Sequence, residues 1–260
     1  MDWFRETSRL TELAEIGCSA AREVGKLLGA RESMSVLELE HDVKSEGDFL
    51  ADELIKEHLS KTGIPIMSEE SKGIGELGGI DGLNWIVDPL DGTVNYTLGM
   101  PLSCVSIALW KGDEPVLGVV YDFCRSALYV GGPSMASRCN GELLRVSDIT
   151  EMKSAVVGTG FPSGRSYVRE ELDRFAESVA RYRKARLLGS AALSMAWVAR
   201  GWLDCYEERG IYLWDVAAGI PLVLGAGGVS KWMEGSWEFP KGVALAAGRS
   251  ELFAEMESCI

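Results

Sequence analysis

The chain has 260 residues, 47% hydrophobic and 25% charged, which suits one large core or two packed halves and excludes a disordered chain. A formal charge of −13 argues against nucleic acid or an anionic membrane surface as partner, because both reward clustered Lys and Arg. Only two histidines are present, and six cysteines lie scattered without a Cys-x-x-Cys pair, which disfavours zinc hydrolases built on His ligands, zinc ribbons and disulfide frameworks. Any divalent metal would sit among oxygen ligands, the preference of Mg²⁺ and Mn²⁺.

Apolar residues Leu10, Leu13, Ile16, Ala20, Val24, Leu27 and Leu28 recur at helical spacing, which predicts a helix over 7–28 with Gly29 at its end. The opening Met1-Asp2-Trp3-Phe4-Arg5-Glu6 lacks the basic start and apolar centre of a signal peptide, and no apolar run approaches the roughly 18 residues of a membrane span. A cytoplasmic location is expected. A second helix is predicted over 49–61, with Asp48 as its cap and Gly63 and Pro65 ending it.

The short apolar runs 64–67 and 85–87 read as strands that stop at Glu69-Glu70 and at Asp88. Between 104 and 146, turn signals such as Lys111-Gly112-Asp113 and Asn140-Gly141 predict an antiparallel meander. After about residue 151, strands at 155–157, 186–188 and 203–207 alternate with helices at 168–182, 191–200 and 215–224, an α/β pattern. Two subdomains in one compact unit are expected: 1–150, α+β with an antiparallel sheet and most of the acids, and 151–260, α/β, with Asp215.

The chemistry concentrates in acids. In Asp88-Pro89-Leu90-Asp91-Gly92-Thr93-Val94-Asn95 a strand ends at Asp88 and a second carboxylate follows three residues later. Asp-Pro and Asp-Gly are also ordinary turn formers. Gly92 lets a ligand approach the backbone, and a helical turn opened by Thr93 would present amides to a phosphate. Ser68-Glu69-Glu70 and Trp214-Asp215-Val216-Ala217-Ala218-Gly219 supply further carboxylates, each of which alone reads as a solvated loop or a helix cap.

Together and in this order, these segments resemble the inositol monophosphatase family, including its archaeal branch active on fructose 1,6-bisphosphate. Gly189-Ser190-Ala191-Ala192 and Glu207-Glu208-Arg209-Gly210 extend the resemblance, which runs from about residue 40 to about 230. It implies the layered α-β-α-β-α sugar-phosphatase fold and two or three Mg²⁺ ions, with Mn²⁺ as a substitute. It makes Glu69, Asp88, Asp91, Asp215 and the Leu90 carbonyl metal ligands, with Asp88 bridging two ions. Gly92 and Thr93 amides would hold the phosphate, Glu208 would meet substrate hydroxyls, and Gly189, Ser190 and Ala191 would line the same wall. The implied substrate is a small phosphorylated sugar or cyclitol, and the implied assembly a homodimer.

The sequence departs from the family before the second helix, where Glu46-Gly47-Asp48-Phe49-Leu50-Ala51-Asp52 replaces the usual Asp-x-Val-Thr-x-x-Asp. Aligned without a gap on Asp52, Glu46 takes the place of the family's first acid. With Asp48 occupied as a cap, Glu46 is the favoured partner of Thr93 in orienting the attacking water, and Lys44 upstream could reach the phosphate. A bisphosphate would need further cations, for which Arg165, Arg169 and Arg186 are available. Other readings are a related phosphatase acting on a nucleotide 3′-phosphate, NADP or histidinol phosphate, or a regulatory metal-binding protein with vestigial activity. Four convergent acids weigh against the last, since they repel one another without a cation.

Overall fold

A computed structural model describes residues 2–30, 36–39, 42–71, 82–161, 168–233 and 241–259. Helix α1 (Asp2–Gly29) is followed by a hairpin of β1 (Val36–Leu39) and β2 (Asp42–Ser45), then by α2 (Glu46–Leu59). Strands β3 (Ile66–Ser68), β4 (Leu83–Asp91), β5 (Cys104–Lys111), β6 (Glu114–Asp122), β7 (Ala127–Gly132), β8 (Met135–Cys139) and β9 (Glu142–Leu143) lie side by side in chain order in one sheet. Its pairs are antiparallel except β3 with β4. A short helix α3 (Thr93–Thr97) interrupts the passage from β4 to β5.

The remainder contains β10 (Val156–Thr159), α4 (Arg169–Ala180), β11 (Lys184–Leu187), α5 (Ala191–Ala199), β12 (Cys205–Tyr212), α6 (Leu213–Val216), α7 (Gly219–Gly225), β13 (Val229–Met233), β14 (Lys241–Ala247) and α8 (Ser250–Glu257). Its sheet runs β11-β10-β12-β14-β13, with β10 parallel to both neighbours and β14 antiparallel to both of its own.

Three apolar cores make this a five-layer α-β-α-β-α sandwich. Helices α1 and α2 bury Leu13, Val24, Ile55 and Leu59 against Trp85, Val87, Ile107 and Val119 of the larger sheet. Between the sheets, α5 and α7 pack Leu193, Met195, Leu222 and Val223 with Ile86, Ala108, Val120 and Tyr206. Beyond the smaller sheet, α8 adds Leu252, Phe253 and Met256 to Val157, Cys205 and Leu245. Strand β4 is covered on both faces, which is why it reads as a continuous apolar run. Trp85 and Val87 face α1 and α2 whereas Ile86 faces the smaller sheet, so the two-residue pleat also turns Asp88 toward the second half of the chain.

Two expected elements differ. Helix α2 begins at Glu46 rather than at 49, so Asp48 stands inside its first turn and is not its cap. The single helix expected near 215–224 is two, α6 and α7. Pro221 has no N–H to donate to Ala217 O, and that carbonyl accepts instead from Trp110 Nε1 at 3.0 Å.

Candidate active site

Glu69 opens the helical turn after β3, Asp88 lies near the end of β4, and Asp215 lies in α6. One carboxylate oxygen from each falls within 4.8 Å of the others. Burial raises the Asp88 pKa well above the usual carboxylate range, and Glu69, Asp91, Asp215 and Asp48 raise it further. Asp215 is raised by burial and then by Glu69, Asp91 and Glu208. Such a cluster is unfavourable when ionised and uncompensated, and a bound cation reverses that sign. The oxygen-only donor set fits a hard divalent ion.

Asp91 is held differently. Its Oδ2 accepts from Ser190 Oγ at 2.6 Å, from Ala192 N at 2.8 Å and from Cys104 Sγ at 3.7 Å. Burial still raises its pKa, while these donors restrain the rise. Ser190 caps α5, so its hydroxyl and the first amides of the helix fix a carboxylate of the other sheet. This is a use of Ser190 that its expected place in a substrate wall did not anticipate.

Gly92 lies at φ 86°, and a Cβ there would approach Leu102 O to 2.7 Å and Gly189 O to 3.2 Å. It is therefore the residue that allows β4 to turn directly into α3. Gly189 also takes a left-handed φ, 69°. Asn95 Nδ2 reaches Leu102 O at 2.9 Å, Leu188 O at 2.8 Å and Gly189 O at 3.2 Å, tying the turn before Ser190 and Ala191 to α3.

Thr93 Oγ1 lies 2.9 Å from Asp48 Oδ1 and 3.0 Å from Leu90 O. Asp48 is buried, whereas Glu46 is exposed at the start of α2. The expected partner of Thr93 was Glu46, whereas the bond the structure shows runs to Asp48, which the earlier start of α2 places inside the first turn rather than at the cap. Asp52 accepts from Ser68 Oγ and Lys56 Nζ, both at 2.5 Å, and braces α2 against the end of β3 next to Glu69. Strand β2, which carries Lys44, packs beside α3. Arg165 lies outside the described residues.

Glu208, on β12, accepts from Tyr206 Oη at 2.7 Å. Burial pushes its pKa up to about 7, with Asp91 adding to the rise and the Tyr206 bond opposing it. Neither Tyr206 nor Cys104 carried a signal in the sequence, since both read as ordinary core residues. Asn95 belongs to the acidic segment, but its link to 188–189 depends on tertiary contact.

A family model described as the inositol monophosphatase family matches residues 9–258. An inositol-1-monophosphatase of Mesorhizobium japonicum is 35% identical over 246 residues, 91% of each chain. A protein of Xylella fastidiosa named Nus factor SuhB is 36% identical over 219 residues, 80% of this chain and 78% of its own. The solved inositol monophosphatase of Anabaena superposes with a TM-score of 0.81 at 29% identity, covering 96% of both chains. With the motifs, layers and acidic cluster above, these matches establish that the chain belongs to the inositol monophosphatase family.

Proposed function

We propose that the chain is a Mg²⁺-dependent phosphomonoesterase that hydrolyses a small cyclitol or sugar phosphate by direct attack of water. The observation that carries this reading is the convergence of Glu69, Asp88 and Asp215 beside the Thr93–Asp48 pair. Glu69, Asp88, Asp91, Asp215 and the Leu90 carbonyl would hold two or three ions, drawn from both halves, 1–150 and 151–260, of one working unit. Divalent ions there would neutralise phosphate charge and make water more acidic.

The chain's own residues do the rest. The Gly92 and Thr93 amides receive phosphate oxygens, with Lys44 as an additional cation. The attacking water would donate to Thr93 Oγ1 as Thr93 passes its own proton to Asp48 Oδ1, so the proton lost by water is balanced by protonation of the Asp48 carboxylate. Glu208 and the 189–191 turn meet the leaving group. None of the six cysteines and neither histidine lies in a phosphate-cradling loop, which weighs against a Cys or His nucleophile.

Between the two expected substrates, we favour inositol monophosphate over fructose 1,6-bisphosphate on the likeness to relatives named inositol-1-monophosphatase. Arg169 Nε lies 2.9 Å from both carboxylate oxygens of the exposed Asp173, and Arg186 donates to the neighbouring Ala185 O. Phosphate release from a panel of inositol 1-phosphate, fructose 1,6-bisphosphate, a nucleotide 3′-phosphate, NADP and histidinol phosphate should be greatest for the first. Chelation should abolish it, and added Mg²⁺ or Mn²⁺ should restore it. Full activity after exhaustive metal removal would reject the mechanism, and no release from any ester would favour the regulatory reading suggested by the Nus factor relative.

The same reading includes a cytoplasmic homodimer. Among the described residues no helix is long and apolar enough to cross a membrane. Val94, Leu98, Met100 and Leu187 are exposed large apolar side chains in segments joined by the Asn95 to Leu188 bond. Light scattering should give twice the mass of 28.3 kDa, and a monomer at working concentration would count against the dimer.

A further inference from the structure

We propose that Tyr206 and Gly160 form a seat that fixes the Glu208 carboxylate for recognition of leaving-group hydroxyls, making them positioning residues for substrate specificity. The inference rests on the proposed phosphatase reading and extends it to two residues that contact neither phosphate nor metal ligands in that scheme.

The topology explains why a seat is needed at this point. From β10 the chain crosses through α4 to β11, and from β11 it returns through α5, between the two sheets, to β12 on the far side of β10. The parallel strands β10 and β12 therefore flank a point where the order of connection reverses, the usual place for a ligand crevice at their carboxyl ends. Gly158 pairs with Tyr206, so Gly160 stands beside Glu208 at those ends.

Two features define the place of the Glu208 side chain. Tyr206 is fully buried, and its hydroxyl donates to Oε2 at 2.7 Å. Burial and the nearby Glu208 raise the Tyr206 pKa well above its usual value, so it remains a donor throughout the working pH range. On the other side, a Cβ at Gly160 would lie 2.5 Å from Oε2 and 2.8 Å from Oε1, so the carboxylate occupies space that only glycine leaves open. Fixing a flexible acid before substrate arrives removes an ordering cost from binding, and among the described residues the Tyr206 bond engages Oε2 and leaves Oε1 for a substrate hydroxyl. Asp91 of β4 and Asp215 of α6 act on Glu208 from neighbouring elements, and among the described residues Glu171, Arg174, Glu177, Arg181, Glu207 and Arg209 line the same cavity.

The test compares a polyol phosphate with a simple aryl phosphate in the Mg²⁺-loaded protein. Tyr206→Phe should lower the polyol-to-aryl ratio of kcat/KM about tenfold, mainly through KM, the size expected for one hydrogen bond to a charged group. Gly160→Ala should lower the same ratio by pushing the carboxylate off its seat. On a Glu208→Ala background, where nothing remains to be positioned, Tyr206→Phe should change the ratio by less than about twofold. Equal losses on both esters, or an undiminished effect on the Glu208→Ala background, would overturn the proposal. A carboxyl NMR titration gives an independent answer: Tyr206→Phe should raise the Glu208 pKa by roughly one unit, because a donor to the ionised form is lost. No shift would overturn the seat even in a protein that releases phosphate. A wild type inactive on every ester would instead reject the phosphatase reading, with the titration still deciding the coupling.

Discussion

Asp88→Asn is expected to reduce phosphate release by at least about 10³-fold while leaving the metal-free protein as stable as the wild type or more so. The substitution preserves volume and keeps an Oδ1 to accept the Leu90 amide, now at 3.1 Å. It removes the charge at the centre of the cluster, where it would bridge ions in the proposed site. Metal stabilisation of transition-state charge is worth several kcal/mol, and about 4 kcal/mol corresponds to roughly 10³-fold in rate. The stability prediction has the opposite sign because Asp88 is raised by burial and by four neighbouring acids.

A carboxyl whose pKa is higher folded than unfolded binds its proton more tightly in the native state. Its stabilising contribution is complete below the unfolded value, about 4, and is lost as pH rises through the folded value. Asp88, Asp91 and Asp215 all shift in this direction, and for Glu208 the window extends to about 7. Metal-free wild type should therefore lose more thermal stability than Asp88→Asn between about pH 5 and about pH 7.5, by linkage. Saturating Mg²⁺ should raise the wild-type melting temperature most at the upper end. Activity within a few-fold of wild type, or parallel pH profiles of melting for the two metal-free proteins, would reject a central charge at Asp88.

Much of this arrangement was legible in the sequence because local chemistry and tertiary structure agree. The strand that carries Asp88, although it runs on to Asp91, the Gly92 turn, the meander after Cys104 and the alternation after residue 151 each follow from short-range pattern. What the sequence could not disclose depends on contacts between distant segments. Ser190 to Asp91 spans 99 positions and Asn95 to Leu188 spans 93, so neither bond leaves a periodic trace. The last two strands and α8 were not anticipated either; β14 pairs antiparallel between β12 and β13, giving a mixed sheet where only strand–helix alternation was read. The start of α2 was misplaced for a local reason: Asp48 before Phe49 reads as an N-cap, yet the helix already begins at Glu46 with Gly47 and Asp48 buried in its first turn.

That misplacement bears directly on catalysis. Asp48→Asn is expected to lower kcat on the order of 10²-fold with little change in KM, because the buried carboxylate 2.9 Å from Thr93 Oγ1 would take up charge only as water loses its proton. An amide of the same shape can still accept from Thr93 but is a far weaker base. Folding should suffer little: a carboxylate in the first turn gains about 0.3–1 kcal/mol from the helix dipole, and its loss is partly offset by relief of repulsion with Asp88. Glu46→Gln, at an exposed position on the same turn, should leave kcat within about twofold, the usual scale for a surface change away from the chemistry. Thr93→Ala should reproduce the Asp48→Asn defect, and the double variant should be scarcely worse than either single one, as for groups acting as a unit. If Glu46→Gln removes turnover and Asp48→Asn only lowers the melting temperature, the gapless alignment on Asp52 is the correct guide, and the Thr93–Asp48 bond is a structural tie between α2 and α3.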